Sequence, residues 1–173
     1  MMAEGVGRDI LMIDSMVSGR VQREARAALK VPITDIQADQ WYNLEDHFLA
    51  YQQAIANGLG GPIGLKMAGT RIIPTVKKTS DVLDAFTNPR ELFEFLDTLY
   101  LANNRGPDAG HYRAVEATDN SVVLEDTTPH LAELQLGVAE GIVRIFRGCF
   151  LVSSQILERS EAKKVYKLTW KSR

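Results

Sequence analysis

The spacing of apolar residues changes character close to residue 103. Upstream, apolar positions recur at steps of three and four, as along one face of a helix; downstream, alternation and short apolar runs take over. Val17, Val21, Ala25, Ala28 and Leu29 share a face, with Ser15 or Ser18 as a cap and Pro32 as the stop. Trp41, Leu44, Phe48, Tyr51 and Ile55 predict a second helix over about 44–56, ended by Asn57-Gly58. Gly60-Gly61-Pro62 reads as a turn with Pro62 at the first position of a short helix that does not pass Pro74. Thr79-Ser80 caps another turn or two. Asn88-Pro89-Arg90-Glu91 joins an N-cap, a proline at the first helical position and a glutamate placed for a capping box, ahead of a helix burying Leu92, Phe95, Leu96 and Leu99. Gly5 and Gly7 make residues 1–14 a poor helix candidate, so this stretch is expected to be loosely held and residues 15–173 to form one domain.

The turn formers of residues 103–110 break the helical period. Strands are predicted at His111–Glu116 and Ser121–Glu125, joined by a hairpin loop, and again at Cys149–Leu157 and Val165–Trp170, with Tyr166, Leu168 and Trp170 on one face. Between the hairpins runs a helix over about 130–147, with Thr128 as its cap. Leu131, Leu134, Val138, Ile142 and Ile145 fall together, and Leu136, Val143 and Phe146 widen the apolar sector past half the circumference, so the helix is covered on more than one side. Gly137 and Gly141 edge that sector, where a missing side chain admits backbone or ligand. The order implies an α+β domain: N-terminal helices, a β-hairpin, a central buried helix and a second hairpin, with an antiparallel sheet of four to five strands covered by helices.

Composition narrows the function. The 173 residues are 45% hydrophobic and 24% charged, a soluble globular balance. With 20 Lys+Arg against 22 Asp+Glu the broad basic excess of a nucleic-acid binder is missing. One cysteine, Cys149, excludes an internal disulfide and a multi-cysteine metal site, and suits a reducing cytoplasm. No apolar run approaches the roughly 20 residues of a membrane span, and charges interrupt residues 1–17, so neither an anchor nor a signal peptide is expected.

No pattern carries catalysis. His47, His111 and His130 show no H-E-x-x-H or other metal spacing; His47 and His111 are the candidates for a single haem-ligand role, and His130, in a helix's first turn, reads as solvated. Cys149 reads as a small packed hydrophobe. Gly58-Leu59-Gly60-Gly61 lacks the lysine and Ser/Thr of a phosphate loop, and Ser153-Ser154 lacks a nucleophile elbow.

Three segments carry a resemblance: Trp41-Tyr42-Asn43-Leu44-Glu45 followed by Phe48; Arg105-Gly106-Pro107-Asp108-Ala109-Gly110-His111-Tyr112; and Gly137-Val138-Ala139-Glu140-Gly141 with Val165-Tyr166-Lys167-Leu168-Thr169-Trp170. Over about residues 17–171 the chain resembles the ligand-binding superfamily of haem nitric-oxide-binding sensors, 4-vinyl-reductase domains and the small subunits of the TRAPP tethering complex. The resemblance implies a non-enzymatic domain that holds a small apolar molecule, or a partner domain, between helices and sheet. It departs from the haem-binding members in having no Tyr-x-Ser-x-Arg run for the haem propionates, and from the 4-vinyl-reductase branch in having one cysteine.

The first expectation is therefore a ligand-binding or sensor domain with no required cofactor, coupling a small hydrophobic ligand to dimerisation or a partner contact. Its expected cavity wall is Trp41, Phe48, Leu96, Val138, Gly141 and Ile142. The alternatives are an interaction module that dimerises through apolar helices with its cavity filled by side chains, and a haem-based gas sensor using His47 or His111.

Overall fold

The helical first part is built as a succession of short helices. In the computed structural model, which describes residues 2–173, β1 (Glu4–Val6) leads into α1 (Gly7–Met16) and α2 (Gly19–Ala27). There follow β2 (Trp41–Asn43), a π-helical turn (Leu44–Leu49), α3 (Ala50–Gly58), α4 (Pro62–Gly69), α5 (Ile72–Thr79) and α6 (Pro89–Asn103). The second part contains β3 (Asn104–Arg105), β4 (Tyr112–Ala117), β5 (Ser121–Asp126), α7 (Ala132–Arg144), β6 (Cys149–Arg159) and β7 (Lys164–Ser172).

The α+β class and the hairpin–helix–hairpin order match the sequence pattern. Strands β4-β5-β7-β6 form the antiparallel four-stranded sheet, with Val122, Leu124, Tyr166, Leu168 and Trp170 buried beneath α6 and α7. A second sheet, β2-β1-β3, has no counterpart in the expectations: β1 pairs with β2 through Glu4↔Asn43 and with β3 through Glu4↔Arg105.

Several local expectations change. Gly7 opens α1 despite its low helix propensity, because Ile10 and Ile13 are buried and tertiary packing outweighs propensity. A Cβ on Gly7 would come within 2.1 Å of the Gln37 carbonyl oxygen, so the helix start needs a residue without one. Trp41 lies on β2 rather than on the second helix. That helix begins at Leu44 as a π-turn capped by Asn43, whose side chain accepts from Asp46 N, and tightens to α-geometry at Ala50. α4 stops at Gly69, short of Pro74 as expected, but Pro74 belongs to a separate helix, α5. It sits in the first turn of α5, where a missing N–H leaves no intrahelical bond unmade. On α6 the Asn88 cap holds, its Oδ1 accepting from Glu91 N at 3.0 Å, but Phe93 is buried and Phe95 is 40% exposed. Finally, α7 starts at Ala132; Thr128 accepts from Gln135 Nε2 rather than capping the helix.

α7 is central, as its wide apolar sector implied. Its closest approach is to α4, through facing glycines: a Cβ on Gly137 would fall 2.2 Å from the Lys66 carbonyl oxygen, and one on Gly69 would fall 2.3 Å from that of Leu134.

Candidate functional site

Between the early helices and the sheet-bearing part lies a cavity of about 950 Å³, at the upper end of the size range for ligand pockets. α1 forms one wall with Asp9, Met12 and Ile13, joined by Phe48 of the π-turn and Gln52 of α3. α5 supplies Ile72, Ile73 and Val76; α6 supplies Leu96, Leu99 and Tyr100; Tyr112 of β4, His130, and Leu134 and Val138 of α7 complete it.

Of the six wall residues expected from the sequence, the cavity brings together Phe48, Leu96 and Val138; Trp41, Gly141 and Ile142 lie elsewhere. The Arg105 guanidinium stacks 4.3 Å over the Trp41 ring. Gly141 faces α5 and the end of α4, where a Cβ would stand 3.1 Å from the Thr70 carbonyl oxygen, so the space it opens is taken by protein. Ile142 is fully buried in the core of α7 and the sheet.

The polar groups of the cavity had no sequence signal of their own. His130, read as solvated from its place near a helix start, instead packs edge-on to the rings of Tyr100 (5.9 Å) and Phe48 (6.2 Å). Gln52 fixes its tautomer. Gln52 Oε1 accepts from Leu131 N (3.1 Å), which orients the amide so that its Nε2 donates to His130 Nδ1 (2.7 Å). The imidazole lone pair is thus occupied at Nδ1 and the ring proton sits on Nε2. Burial, followed by the nearby Lys164 charge, pushes the His130 pKa down to about 4, so the ring is neutral at physiological pH.

The histidine is held from behind. Lys164 donates to the carbonyl oxygens of Thr128 (2.6 Å) and His130 (2.8 Å) and pairs with Asp126 (3.2 Å), while Asp126 accepts from Tyr166 Oη (2.7 Å) and Thr128 N (2.8 Å). Lys164 and Asp126 are both buried. This network joins β5 and β7 to the segment that delivers His130.

Asp9 is the opposite case. Its carboxyl lines the cavity from the first turn of α1, and desolvation pushes its pKa up to about 7, with only the charge of neighbouring Arg8 acting against it. Across the cavity, burial and then the charges of Asp126, Asp97 and Asp9 raise the Tyr100 phenol pKa. Asn104, 5% exposed, also lines the cavity; its Nδ2 donates to the Tyr100 carbonyl oxygen, and its Oδ1 has no donor among the described residues.

The donor set can be tested against a haem, which needs an imidazole nitrogen with a free lone pair and cations for two propionates. His130 has its lone pair engaged by a donor, whereas a ligating histidine normally donates from its second nitrogen. His47 donates from Nδ1 to the Asn43 carbonyl oxygen (3.2 Å), but it is not on the cavity wall and its Nε2 is sealed without a partner. His111 is on the surface, its side chain 53% exposed and bonded to Asp97 at 2.9 Å. Arg8 is the one cation among the lining residues, and Asp9 beside it opposes further negative charge. These residues as arranged do not fit haem. Among the described residues no group of three or more His, Cys, Asp or Glu is placed to hold a metal ion, and no helix is long and apolar enough to cross a membrane.

Neither a protein-family model nor a curated protein matches the sequence. Solved structures match throughout the fold. An oxygen-binding H-NOX domain related to soluble guanylate cyclases, in its oxygen complex, is 14% identical with a TM-score of 0.72, covering 96% of this chain and 93% of that one. The Fe(II) unliganded H-NOX protein from K. algicida is 10% identical with a TM-score of 0.71, covering 96% and 97%. An H-NOX protein from S. oneidensis is 15% identical with a TM-score of 0.70, covering 96% of each chain. The chain has the H-NOX fold.

Proposed function

We propose that this domain is a non-enzymatic small-molecule sensor on an H-NOX scaffold, its ligand held in the cavity between α1 and the wall formed by α5, α6 and α7. The observation that carries the reading is the cavity itself. A pure interaction module would fill that space with side chains, whereas here about 950 Å³ lies between the two halves of the fold, ringed by Phe48, Ile73, Leu96 and Val138. An occupant touching both walls would bias any equilibrium in which they move apart, which is the physical requirement for a sensor. Coupling to self-association belongs to the same reading: β6 is an edge strand that leaves Phe150, Val152 and Leu157 more than half exposed.

The second reading is a haem-based gas sensor. The likeness to domains described as oxygen-binding and Fe(II)-containing favours it; the tautomer of His130 and the positions of His47 and His111 oppose it. Native mass spectrometry of the purified protein, before and after denaturation, together with visible spectra after incubation with haemin, separates the two. The sensor reading expects a non-haem molecule lost on denaturation and no haem absorption band. A stoichiometric haem band would establish the second reading instead, and an empty dimer that takes up nothing would support the interaction module.

A further inference from the structure

The cavity combines an apolar wall with a carboxyl that has no partner. Of its ionisable groups, His130 is held neutral, Tyr100 Oη donates to the Ala109 carbonyl oxygen (2.6 Å) and Tyr112 Oη to that of Gln135 (2.7 Å). Each of those three side chains has its hydrogen bond. Asp9 has neither a hydrogen bond nor an ion pair to another described residue; Arg8, next to it in sequence, is exposed and contributes only through space. A carboxyl on an apolar wall costs stability unless something pairs with it.

We propose that the cavity selects amphiphiles carrying a protonated amine, with Asp9 as the counter-ion for the ammonium and Phe48, Ile73, Leu96 and Val138 enclosing the apolar body. This rests on the reading of the cavity as a ligand site and adds the charge of the ligand. An ammonium supplies three donors and the opposite charge, so it repairs the defect that Asp9 leaves, whereas a carboxylate in the same place would add a like charge to a desolvated site. A neutral alcohol would gain the apolar contacts and one hydrogen bond. Selectivity therefore lies in the head group rather than in the tail.

Decylamine, decanol and decanoate share a chain and differ at the head, and isothermal titration of each into the purified protein at pH 7.5, below micellar concentrations, tests the proposal. Decylamine is expected to bind at least about ten times more tightly than decanoate, with decanol between them. Asp9→Asn should bring the three within about threefold of one another and raise thermal stability in the absence of ligand, which shows that the variant folds. Asp9→Ala should do the same, which guards against a specific effect of the amide. Equal binding of decylamine and decanoate by the wild type, or a preference that survives both substitutions, would overturn the charge assignment while leaving the ligand cavity intact. If none of the three binds, the ligand-site reading falls and this inference with it.

Discussion

Asp9 and His130 sit on one cavity with their ionisation displaced in opposite senses, and each displacement has its own pH signature. Asp9 holds its proton up to about pH 7 in the folded chain, whereas its unfolded value is near 3.8, so the folded state binds the extra proton between those limits and stability falls as pH rises through them. His130 is neutral down to about pH 4 when folded and titrates near 6.5 when unfolded, so its contribution to stability rises with pH over that window. Between about pH 4 and 6.5 the two oppose one another. Asp9→Asn removes one: its unfolding free energy should exceed that of the wild type by an amount that is small near pH 4, grows through pH 7 and then levels off, reaching about 1–3 kcal/mol. Thermal unfolding across that range measures it, and a constant or shrinking difference would contradict the burial of this carboxyl. Behind the histidine, Lys164→Met leaves Asp126 buried with no cation and should cost about 3–5 kcal/mol in urea unfolding; the double variant with Asp126→Asn should recover part of that loss. Neither cavity residue was legible in the sequence. An aspartate among the charges that interrupt residues 1–17 and a histidine after Pro129 in a helix's first turn both look solvated, and the rings, amide and cation around His130 come from Phe48, Gln52, Tyr100 and Lys164, thirty or more residues away.

Elements were legible in proportion to how completely one period describes them. The central helix and the two hairpins have full periods and matched the structure to within a few residues, because neighbours on both sides of α7 demand apolar residues around most of its circumference. Trp41 lies three positions before Leu44, a helical step that here spans a strand and the start of a π-turn, so the periodicity misplaces it. That turn carries Phe48 onto the cavity wall while His47 stays off it. The glycines of α7, at the edge of its apolar sector, are points of close approach, and what approaches is backbone. Gly137→Ala should destabilise by about 1–3 kcal/mol, since its Cβ would meet the Lys66 carbonyl oxygen at 2.2 Å. Gly141→Ala, with 3.1 Å to the Thr70 carbonyl oxygen and a gain in helix propensity, should change stability by less than about 1 kcal/mol. Chemical denaturation of the two variants side by side is the check; equal effects would argue against backbone contact as the role of Gly137.

The molecule as a whole has two regions with separate apolar clusters. One joins α6, α7 and the four-stranded sheet; the others gather α1 to α4 and the small sheet. Asp14 ties the early helices together, accepting from Arg26, Tyr51 and Gln22. Although burial raises the Asp14 pKa, those bonds outweigh it and leave the value below 3.8. The cavity lies where the clusters meet, which is why its wall was only half legible in the sequence: periodicity shows that a residue is buried but not which of two neighbouring interiors it faces.

The placement of β1 also bears on how the chain is assembled. Residues 4–6 form the middle strand of the small sheet, yet one neighbour lies at residues 41–43 and the other at 104–105. During synthesis that strand gains its first partner early and keeps an open edge for the several seconds needed to make some sixty further residues. The wall of the cavity built on α1 is thus completed only after α6 has emerged and β3 has closed the sheet. Because loop closure over a hundred residues must precede that pairing, this wall of the cavity is expected to form late in folding.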